Sequence, residues 1–232
     1  MTLETEFAPL DEPILFALGS KHHKMRLRHG LAMRYKPDVA PFAAVIVDTL
    51  EAFSDLRELV DFGETVGMFT ASAPRVPDSW RIVRQRPIDQ MVLRNDPPSP
   101  EHAAQTIELR RADVTAMLAL TAETQPGPFL RRTIAMGRYV GIKVPDGTLA
   151  AMVGERLGLS GFTEVSAVCT APAQRGKGYA GSLVSSIAAG ILAQGHLPFL
   201  HVKNENEARG VYERIGFRLR KTMMLTAITP TE

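Results

Sequence analysis

The chain has 232 residues, 45% of them hydrophobic and 22% charged, and its formal net charge at pH 7 is +2. This length and hydrophobic content allow one large core or two modest ones, which excludes intrinsic disorder. The balanced charge favours neither nucleic acid nor a strongly acidic partner, and the single cysteine excludes an internal disulfide. The longest apolar runs are far shorter than a membrane span, and the first residues lack the apolar segment of a signal peptide. We therefore expect a soluble cytoplasmic protein.

The N-terminal half, residues 1–95, mixes helical and strand-like patterns. Helices are expected at residues 12–26 and 50–60, where apolar residues recur with helical spacing. Strands are expected between prolines and loop residues, at residues 31–36, 42–47, 65–71 and 80–93. These patterns predict a small mixed α/β unit.

A basic cluster in this half contains three histidines, His22, His23 and His29. A metal site is conceivable there, but adjacent His22 and His23 point apart on a helix, and no cysteine or carboxylate follows at ligand spacing. Cationic neighbours also oppose metal binding: Lys21, Lys24, Arg26, Arg28, Arg34 and Lys36. We therefore predict a solvated basic face and no metal site.

Residues 96–104 contain three prolines and no periodicity, which is typical of a linker. The chain is therefore predicted to divide into an N-terminal unit, residues 1–95, and a second unit, residues 105–232. The elements expected next are a strand at 107–110, a helix at 113–123 with Asp113 as its N-cap, a helix at 129–136, and strands at 138–144 and 149–157.

The clearest local pattern is a strand, a glycine-rich turn and a helix across residues 162–194. Residues 162–170 mix β-branched and small apolar types, as a buried strand does, and Pro172 ends the run. In the helix, apolar residues recur on one face, and Gly195 stands where a helix C-terminus favours glycine. The first turn of such a helix has unpaired N–H groups and a partial positive charge. Residues 175–181 are therefore predicted to form a cradle for phosphate.

Three known phosphate-binding patterns compete for this turn. A P-loop requires Ser or Thr directly after its lysine, but Lys177 is followed by Gly178, which excludes it. The dinucleotide pattern G-x-G-x-x-G is present at Gly176, Gly178 and Gly181, yet only about fifty residues follow, too few for two nucleotide-binding halves. A helix start with structural glycines and no phosphate is a further alternative.

The third pattern is R-x-x-G-x-A, at Arg175, Gly178 and Ala180. It resembles the coenzyme A loop of the GNAT superfamily of acyl-CoA-dependent N-acyltransferases. The resemblance continues through PFLHV at 198–202 and NEARGVYERIGF at 206–217 and covers about residues 105–225. It implies an α/β fold, a mixed sheet with helices on both faces, preceded by the smaller N-terminal half. That half resembles the degenerate companion half of glycine-acyltransferase-like members.

The resemblance implies acetyl-CoA as the acyl donor and no metal. It assigns the pyrophosphate to the loop residues Arg175, Gly176, Lys177, Gly178, Tyr179, Ala180 and Gly181. It assigns the pantetheine and the acyl oxygen to main-chain groups of Val168, Cys169 and Thr170, on a strand that splays from its neighbour. Asn206 is expected to contact the pantetheine or to cap a helix. Cys169 is expected to be a core residue, since an apolar strand raises a thiol pKa and direct transfer needs no acyl-enzyme.

Glu164 is the predicted general base. It is the only carboxylate on the central strand, and its distance from Arg175 resembles that in the histone-acetyltransferase branch of the family. Strand alternation places it on one face with Ser166, Val168 and Thr170, unless a bulge changes the phase. A partly exposed strand-end glutamate in a salt bridge is the alternative. His201 is a secondary candidate for the base, with a structural role as its alternative.

Tyr212 is the predicted general acid. It shares one helical face with Ala208, Val211 and Ile215, and GNAT proteins use a tyrosine at this place to protonate the leaving sulfur. A phenol has a pKa of about 10, which is reasonably matched to the pKa of the thiol that forms when the leaving thiolate is protonated. A tyrosine that only packs is the alternative.

The sequence therefore predicts an N-acetyltransferase that moves an acetyl group from acetyl-CoA to a primary amine in a ternary complex. The acceptor is expected to be a small-molecule or peptide amine, with no nucleic-acid or membrane partner, and the protein a monomer or homodimer. The alternative is a catalytically silent coenzyme A-binding sensor or interaction module, in which Glu164 and Tyr212 only pack.

Overall fold

The computed structural model describes residues 7–204 and 208–232, which contain two β-sheets. The smaller sheet has the order β1-β2-β3, with β1 at Arg26–His29, β2 at Ala32–Tyr35 and β3 at Ala43–Val45. The larger sheet has eight strands in the order β4-β11-β5-β10-β9-β8-β7-β6. Its strands are β4 Val66–Thr70, β5 Trp80–Leu93, β6 Thr106–Leu109, β7 Tyr139–Lys143, β8 Leu149–Leu159, β9 Phe162–Thr170, β10 Leu197–Val202 and β11 Phe217–Pro230.

Helices cover both faces of the larger sheet. The α-helices in the described residues are α1 Pro13–Gly19, α2 Leu50–Arg57, α3 Val114–Thr124, α4 Tyr179–Ala193 and α5 Arg209–Ile215. Val153 belongs to the core cluster of α4 and α5, whereas Met152 belongs to that of α3. Because these two residues are neighbours on one strand, the clusters lie on opposite faces. The predicted mixed α/β fold is therefore confirmed. Among the described helices, none combines the length and apolar character of a membrane-crossing segment.

Most predicted elements are confirmed within a few residues, and β5 has its predicted bounds. The helix expected at 12–26 is wrong in its second half, because the chain turns after Gly19 and the His22 N–H donates to the carbonyl of Ala17. The helix expected at 129–136 is a single 3-10 turn, Thr133–Met136. Its start is held by the Thr133 hydroxyl, which accepts from the Leu130 N–H at 2.8 Å.

β5 joins the two halves of the chain in one sheet. It pairs antiparallel with β10 from Phe199↔Val92 to Val202↔Asp89. On its other side it pairs with β11 along its whole length, and β4 follows on the far side of β11. Strands that precede the proline-rich residues 96–104 therefore stand between and beside strands that follow them. The division into two units stays a prediction.

A fragment of residues 105–232 tests that division. In the fragment, β10 and β11 would lose β5, the strand between them, and expose unpaired main-chain groups and apolar surface. We expect the fragment to be insoluble or to lack a cooperative unfolding transition in urea, and the full chain to unfold cooperatively. A cooperative transition in the fragment would instead establish that the second half is a domain that folds alone.

Candidate functional site

The glycine-rich turn enters α4 with its backbone accessible. Gly176 and Gly178 have φ angles of +78° and +76°, a left-handed conformation that glycine adopts without strain. Among the described residues, no acceptor binds the N–H groups of residues 176–181. The Ser182 N–H is the first to be paired, donating to the Gly178 carbonyl at 3.1 Å. These N–H groups and the helix dipole together are suited to an anion, and we refer to residues 176–181 as the anion cradle.

β9 and β10 separate in the middle of the large sheet. They pair in parallel only from Leu197↔Phe162 to Phe199↔Glu164. Beyond this point β9 continues beside β8, and β10 beside β5. The edge of β9 that faces the gap therefore has no strand partner in the part of the chain that the structure describes. The Thr170 hydroxyl, near the end of β9, is buried without a hydrogen-bond partner among those residues. Such groups suit a ligand that lies along the gap.

A β-bulge reverses the side-chain alternation within β9. Ala167 has a φ of +52°, uncommon for a residue with a side chain, and the register with β8 shifts at this point. Val168 packs on the α4 side, whereas Cys169 packs with α3. Val168 and Thr170 therefore do not share the face of Glu164, and that prediction is wrong because the bulge changes the phase.

Cys169 is a buried thiol beside α3, with 6% of its surface exposed. Burial raises the pKa of Cys169 to about 11, more than hydrogen bonding to its surroundings lowers it. The thiol is therefore protonated at neutral pH, as expected for a core cysteine.

Tyr212 lies on α5 with its ring packed edge-on against Phe217, at 6.3 Å between ring centroids. It belongs to the core cluster that Val168 joins at the gap. Burial, with a smaller effect from nearby Cys169, raises the pKa of Tyr212 to about 12. Its hydroxyl makes no hydrogen bond within residues 7–204 and 208–232. The phenol is therefore protonated and available beside the gap.

Glu164 is fully buried at the closed end of the gap, and both of its oxygens are bonded. Arg156 donates from Nε to Oε2 at 2.8 Å and from Nη2 to Oε1 at 2.6 Å, and His201 donates from Nδ1 to Oε1 at 2.7 Å. Burial alone would raise the pKa of Glu164, but Arg156 and His201 outweigh it and lower the pKa to about 2. This geometry matches the salt-bridge alternative, although the pair is buried. A carboxylate so bonded is a poor proton acceptor.

His201 is held on both ring nitrogens. Its Nε2 accepts a hydrogen bond from the Gln90 amide at 3.1 Å, and the same amide donates to the Leu10 carbonyl at 2.8 Å. The ring proton therefore lies on Nδ1, which donates to Glu164. Phe69 stacks on the imidazole at 4.6 Å between centroids. His201 thus positions Glu164, in agreement with its structural alternative.

Arg156 is a site residue that was not predicted from the sequence. Its guanidinium lies 5.1 Å from the ring centroid of Phe42 and 5.6 Å from that of Phe69, both contributed by the N-terminal half. The available signal was an arginine inside the apolar run at 149–159, since a buried charge requires a partner. The partner could not be identified from sequence, because Glu164 lies on the neighbouring strand.

The predicted solvated basic face is wrong for two of its members. His22 is 4% exposed; its Nδ1 accepts from the Tyr35 hydroxyl at 2.8 Å and its Nε2 donates to the Met136 carbonyl at 3.0 Å. Arg34 is 2% exposed and pairs with Glu64 at 2.6 Å. Both are buried because the second half of the chain and α2 cover this surface. No group of three or more His, Cys, Asp or Glu in the described residues is arranged to hold a metal.

The remaining loop residues lie at the surface. Arg175 is exposed, and Lys177 Nζ donates to Gln174 Oε1 at 2.7 Å. Tyr179 and Ala180 begin α4, and Gly181 faces α5, where an added Cβ would lie 3.8 Å from Val211. Asn206 lies outside the described residues.

A separate basic cavity of about 1030 Å³ lies beside β6, β7 and α3. Its lining includes the carboxylates Asp38 and Glu108 and five arginines, Arg110, Arg111, Arg131, Arg132 and Arg138. Arg132 pairs with Asp38 at 3.1 Å. Tyr139, also in the lining, has a buried hydroxyl without a partner among the described residues. The cavity is distinct from the cradle, because β8 separates β7 from β9.

Comparison with known proteins identifies several relatives. The profile of the FR47-like protein family matches residues 139–225. A GNAT-family protein from Novosphingobium aromaticivorans, assigned as an acetyltransferase, is 33% identical, with a TM-score of 0.89 over 97% of this chain and 99% of that chain. A search of curated protein sequences gives no match.

More distant structures share the fold alone. A GCN5-related N-acetyltransferase from Kribbella flavida is 16% identical, with a TM-score of 0.60 over 94% of this chain and 96% of that chain. A GCN5-related N-acetyltransferase-like protein from Streptococcus suis is 13% identical, with a TM-score of 0.60 over 98% of both chains.

Substitution of Glu164 by Gln tests the buried ion pair. The change leaves the Arg156 charge buried without its counter-ion, so we expect the free energy of unfolding at pH 7 to fall by about 3–5 kcal/mol, measured in urea. Glu108→Gln, at an exposed carboxyl, serves as the control and should change stability little.

The same variant tests the pH dependence. Because the folded-state pKa of Glu164 lies below its ordinary value of 4.5, the stability it contributes is present above about pH 4.5 and is lost as the pH falls towards about 2. Glu164→Gln should lack this part of the acid sensitivity. Equal loss of stability in both proteins between pH 5 and pH 2 would contradict the assignment.

Proposed function

Because the chain belongs to the GNAT family of acetyltransferases, we propose that it is an N-acetyltransferase that moves an acetyl group from acetyl-CoA directly to a primary amine. The observation that carries the proposal is the combination of an anion cradle at the start of α4 with a gap between β9 and β10. A cradle alone suits any phosphate. The gap adds an unpaired strand edge along which an extended thioester can lie.

The residues present fit coenzyme A. The N–H groups of residues 176–181 would bind its pyrophosphate, since none of them has a partner within the described residues. Arg175 and Lys177 would add screened positive charge from the surface. Main-chain groups of Val168, Cys169 and Thr170 would bind the pantetheine along the edge of β9. The proposal keeps the prediction from sequence that Asn206 contacts the pantetheine or caps a helix.

Acetyl-CoA supplies an acyl thioester, whose carbonyl an amine attacks and whose sulfur departs as a thiolate. Tyr212 is the proposed general acid, because its hydroxyl is protonated, has no partner among the described residues and lies beside the gap. A phenol with a raised pKa stays protonated at neutral pH, so its proton is available to the sulfur as the C–S bond breaks.

The proton of the amine requires a different acceptor from the one predicted. Glu164 has both oxygens bonded to Arg156 and His201, and its pKa is about 2, so the geometry opposes a direct role as base. We propose that the proton leaves through solvent at the open end of the gap and that Glu164 acts by holding Arg156.

The acceptor is proposed to be a small-molecule or peptide amine, and the protein a cytoplasmic monomer or homodimer without nucleic-acid or membrane partners. The second candidate function is a coenzyme A-binding sensor without turnover, which the bonding of Glu164 favours. Thiol release from acetyl-CoA, measured over a panel of primary amines, separates the two. Binding of coenzyme A without thiol release would support the sensor.

Gly178→Glu tests the cradle. Gly178 has a φ of +76°, and an added Cβ would lie 3.3 Å from Glu101 Oε2, so the variant introduces strain and negative charge at the proposed pyrophosphate site. We expect calorimetry to detect no binding of coenzyme A. The matched control is Gly195→Glu, at the other end of α4, where φ is +75° and no atom lies within 4 Å of an added Cβ. Wild-type affinity in a folded Gly178→Glu protein would refute the cradle.

Tyr212→Phe separates the general acid from a packing residue. The variant keeps the ring against Phe217 and removes one hydroxyl that has no partner among the described residues, so stability should change little. Loss of proton donation should lower turnover about 10²- to 10⁴-fold, with coenzyme A affinity nearly unchanged. Raising the pH should not restore activity, because base cannot replace the missing acid. Near-normal turnover with chemistry rate-limiting would leave Tyr212 as packing.

A further inference from the structure

Residues 96–104, the proline-rich segment between β5 and β6, reach the glycine-rich loop through His102. The His102 Nε2–H donates to the carbonyl oxygen of Lys177 at 2.9 Å. The His102 main-chain N–H donates to the hydroxyl of Ser182, in the first turn of α4, at 2.8 Å. Its imidazole also packs edge-on against Tyr179, at 4.9 Å between centroids. One residue therefore contacts the loop at its middle, at the helix start and in the first helical turn.

His102 is itself held in place on the opposite side. Its carbonyl accepts from the Gln105 N–H at 3.0 Å and from the Thr106 hydroxyl at 3.0 Å, where β6 begins. The contact with the loop is therefore built on an anchored backbone.

The loop has few restraints of its own. Gly176 and Gly178 lack side chains, and the N–H groups of residues 176–181 are unpaired within the described chain. Hydrogen bonds at the start of the loop hold Gln174 and Arg175 to the preceding turn, but the peptide after Lys177 is held from outside, by His102. A loop that becomes ordered only when its ligand arrives binds that ligand more weakly than a loop that is already ordered, because ordering costs conformational entropy.

We propose that His102 is a positioning residue that holds the loop in its anion-binding conformation and thereby strengthens the binding of coenzyme A. The inference rests on the proposed function, since it concerns the same cradle. His102 acts through its contacts with Lys177 and Ser182.

The neighbouring residue has the opposite effect. Glu101 Oε2 lies where a Cβ on Gly178 would be 3.3 Å away, so a carboxylate stands next to the proposed pyrophosphate site. Its negative charge repels an incoming diphosphate, and salt screens that repulsion at this exposed position. The segment therefore contains one residue that strengthens binding and one that weakens it.

The experiment measures the dissociation constant of coenzyme A by calorimetry for the full chain and four variants. His102→Ala should raise it about 3- to 10-fold, the effect of one lost hydrogen bond plus loop ordering. His102→Gln should restore it to within about twofold, since its amide can donate to the same carbonyl. Ser182→Ala should resemble His102→Ala, and Glu101→Gln should lower the constant about 2- to 5-fold at 50 mM salt but not at 500 mM.

Hydrogen exchange of the Ser182 amide, which donates to the Gly178 carbonyl at 3.1 Å, provides a second readout in the free protein that requires no ligand. His102→Ala should speed its exchange, and His102→Gln should restore protection. The inference would be overturned if His102→Ala left both the affinity for coenzyme A and the exchange rate unchanged. It would also be overturned if Glu101→Gln, like His102→Ala, weakened the binding of coenzyme A. A wild-type protein that fails to bind coenzyme A would refute the proposed function, and the exchange comparison would still decide whether His102 orders the loop.

Discussion

The buried ion pair of Glu164 and Arg156 lies where β9 and β10 stop pairing, and the geometry around the gap depends on keeping this pair bonded. A buried carboxylate is tolerated only with a counter-ion and hydrogen bonds. Arg156 comes from β8, Glu164 from β9 and His201 from β10, so the charge ties together three neighbouring strands. The pair therefore closes one end of the gap, and the strands are free to diverge only beyond it. Burial alone would raise the pKa of Glu164, but Arg156 and His201 stabilise its charged form and lower the pKa instead.

The N-terminal half is required by this arrangement in two ways. β5 fills the position between β10 and β11, so the second half of the sheet is continuous only through a strand that precedes residues 96–104. Phe42 and Phe69 cover the Arg156 guanidinium, and Gln90 on β5 fixes the tautomer of His201. The first half thus supplies a strand, an aromatic cover and a hydrogen bond to the network at the closed end of the gap.

Partial charges of the backbone and full charges of side chains lie in different parts of the site. The cradle at α4 uses main-chain N–H groups, whose partial charges are fixed by the helix. Their desolvation costs less than the desolvation of full charges. Arg175 and Lys177 stay in solvent, where their effect is screened. The full charges lie elsewhere, in the bonded network of Glu164 and in the separate arginine-lined cavity. Neutral Tyr212 and Cys169 border the gap itself, where a charged group would be expensive to bury.

The strand, turn and helix of residues 162–194, the strand β5 and the family resemblance were all predictable from the sequence, because periodicity and a glycine-rich turn are local signals. The sequence also marked Cys169 as a core residue from its apolar neighbours. The other features of the site depend on how the elements pack together. The partner of Glu164, the burial of His22 and Arg34, and the contact of His102 with Lys177 all join residues that are distant along the chain or lie on adjacent strands. The bulge at Ala167 has no residue-level signal, since alanine is not a residue that favours a positive φ. Local patterns fix which elements form, whereas strand order and register decide which side chains meet.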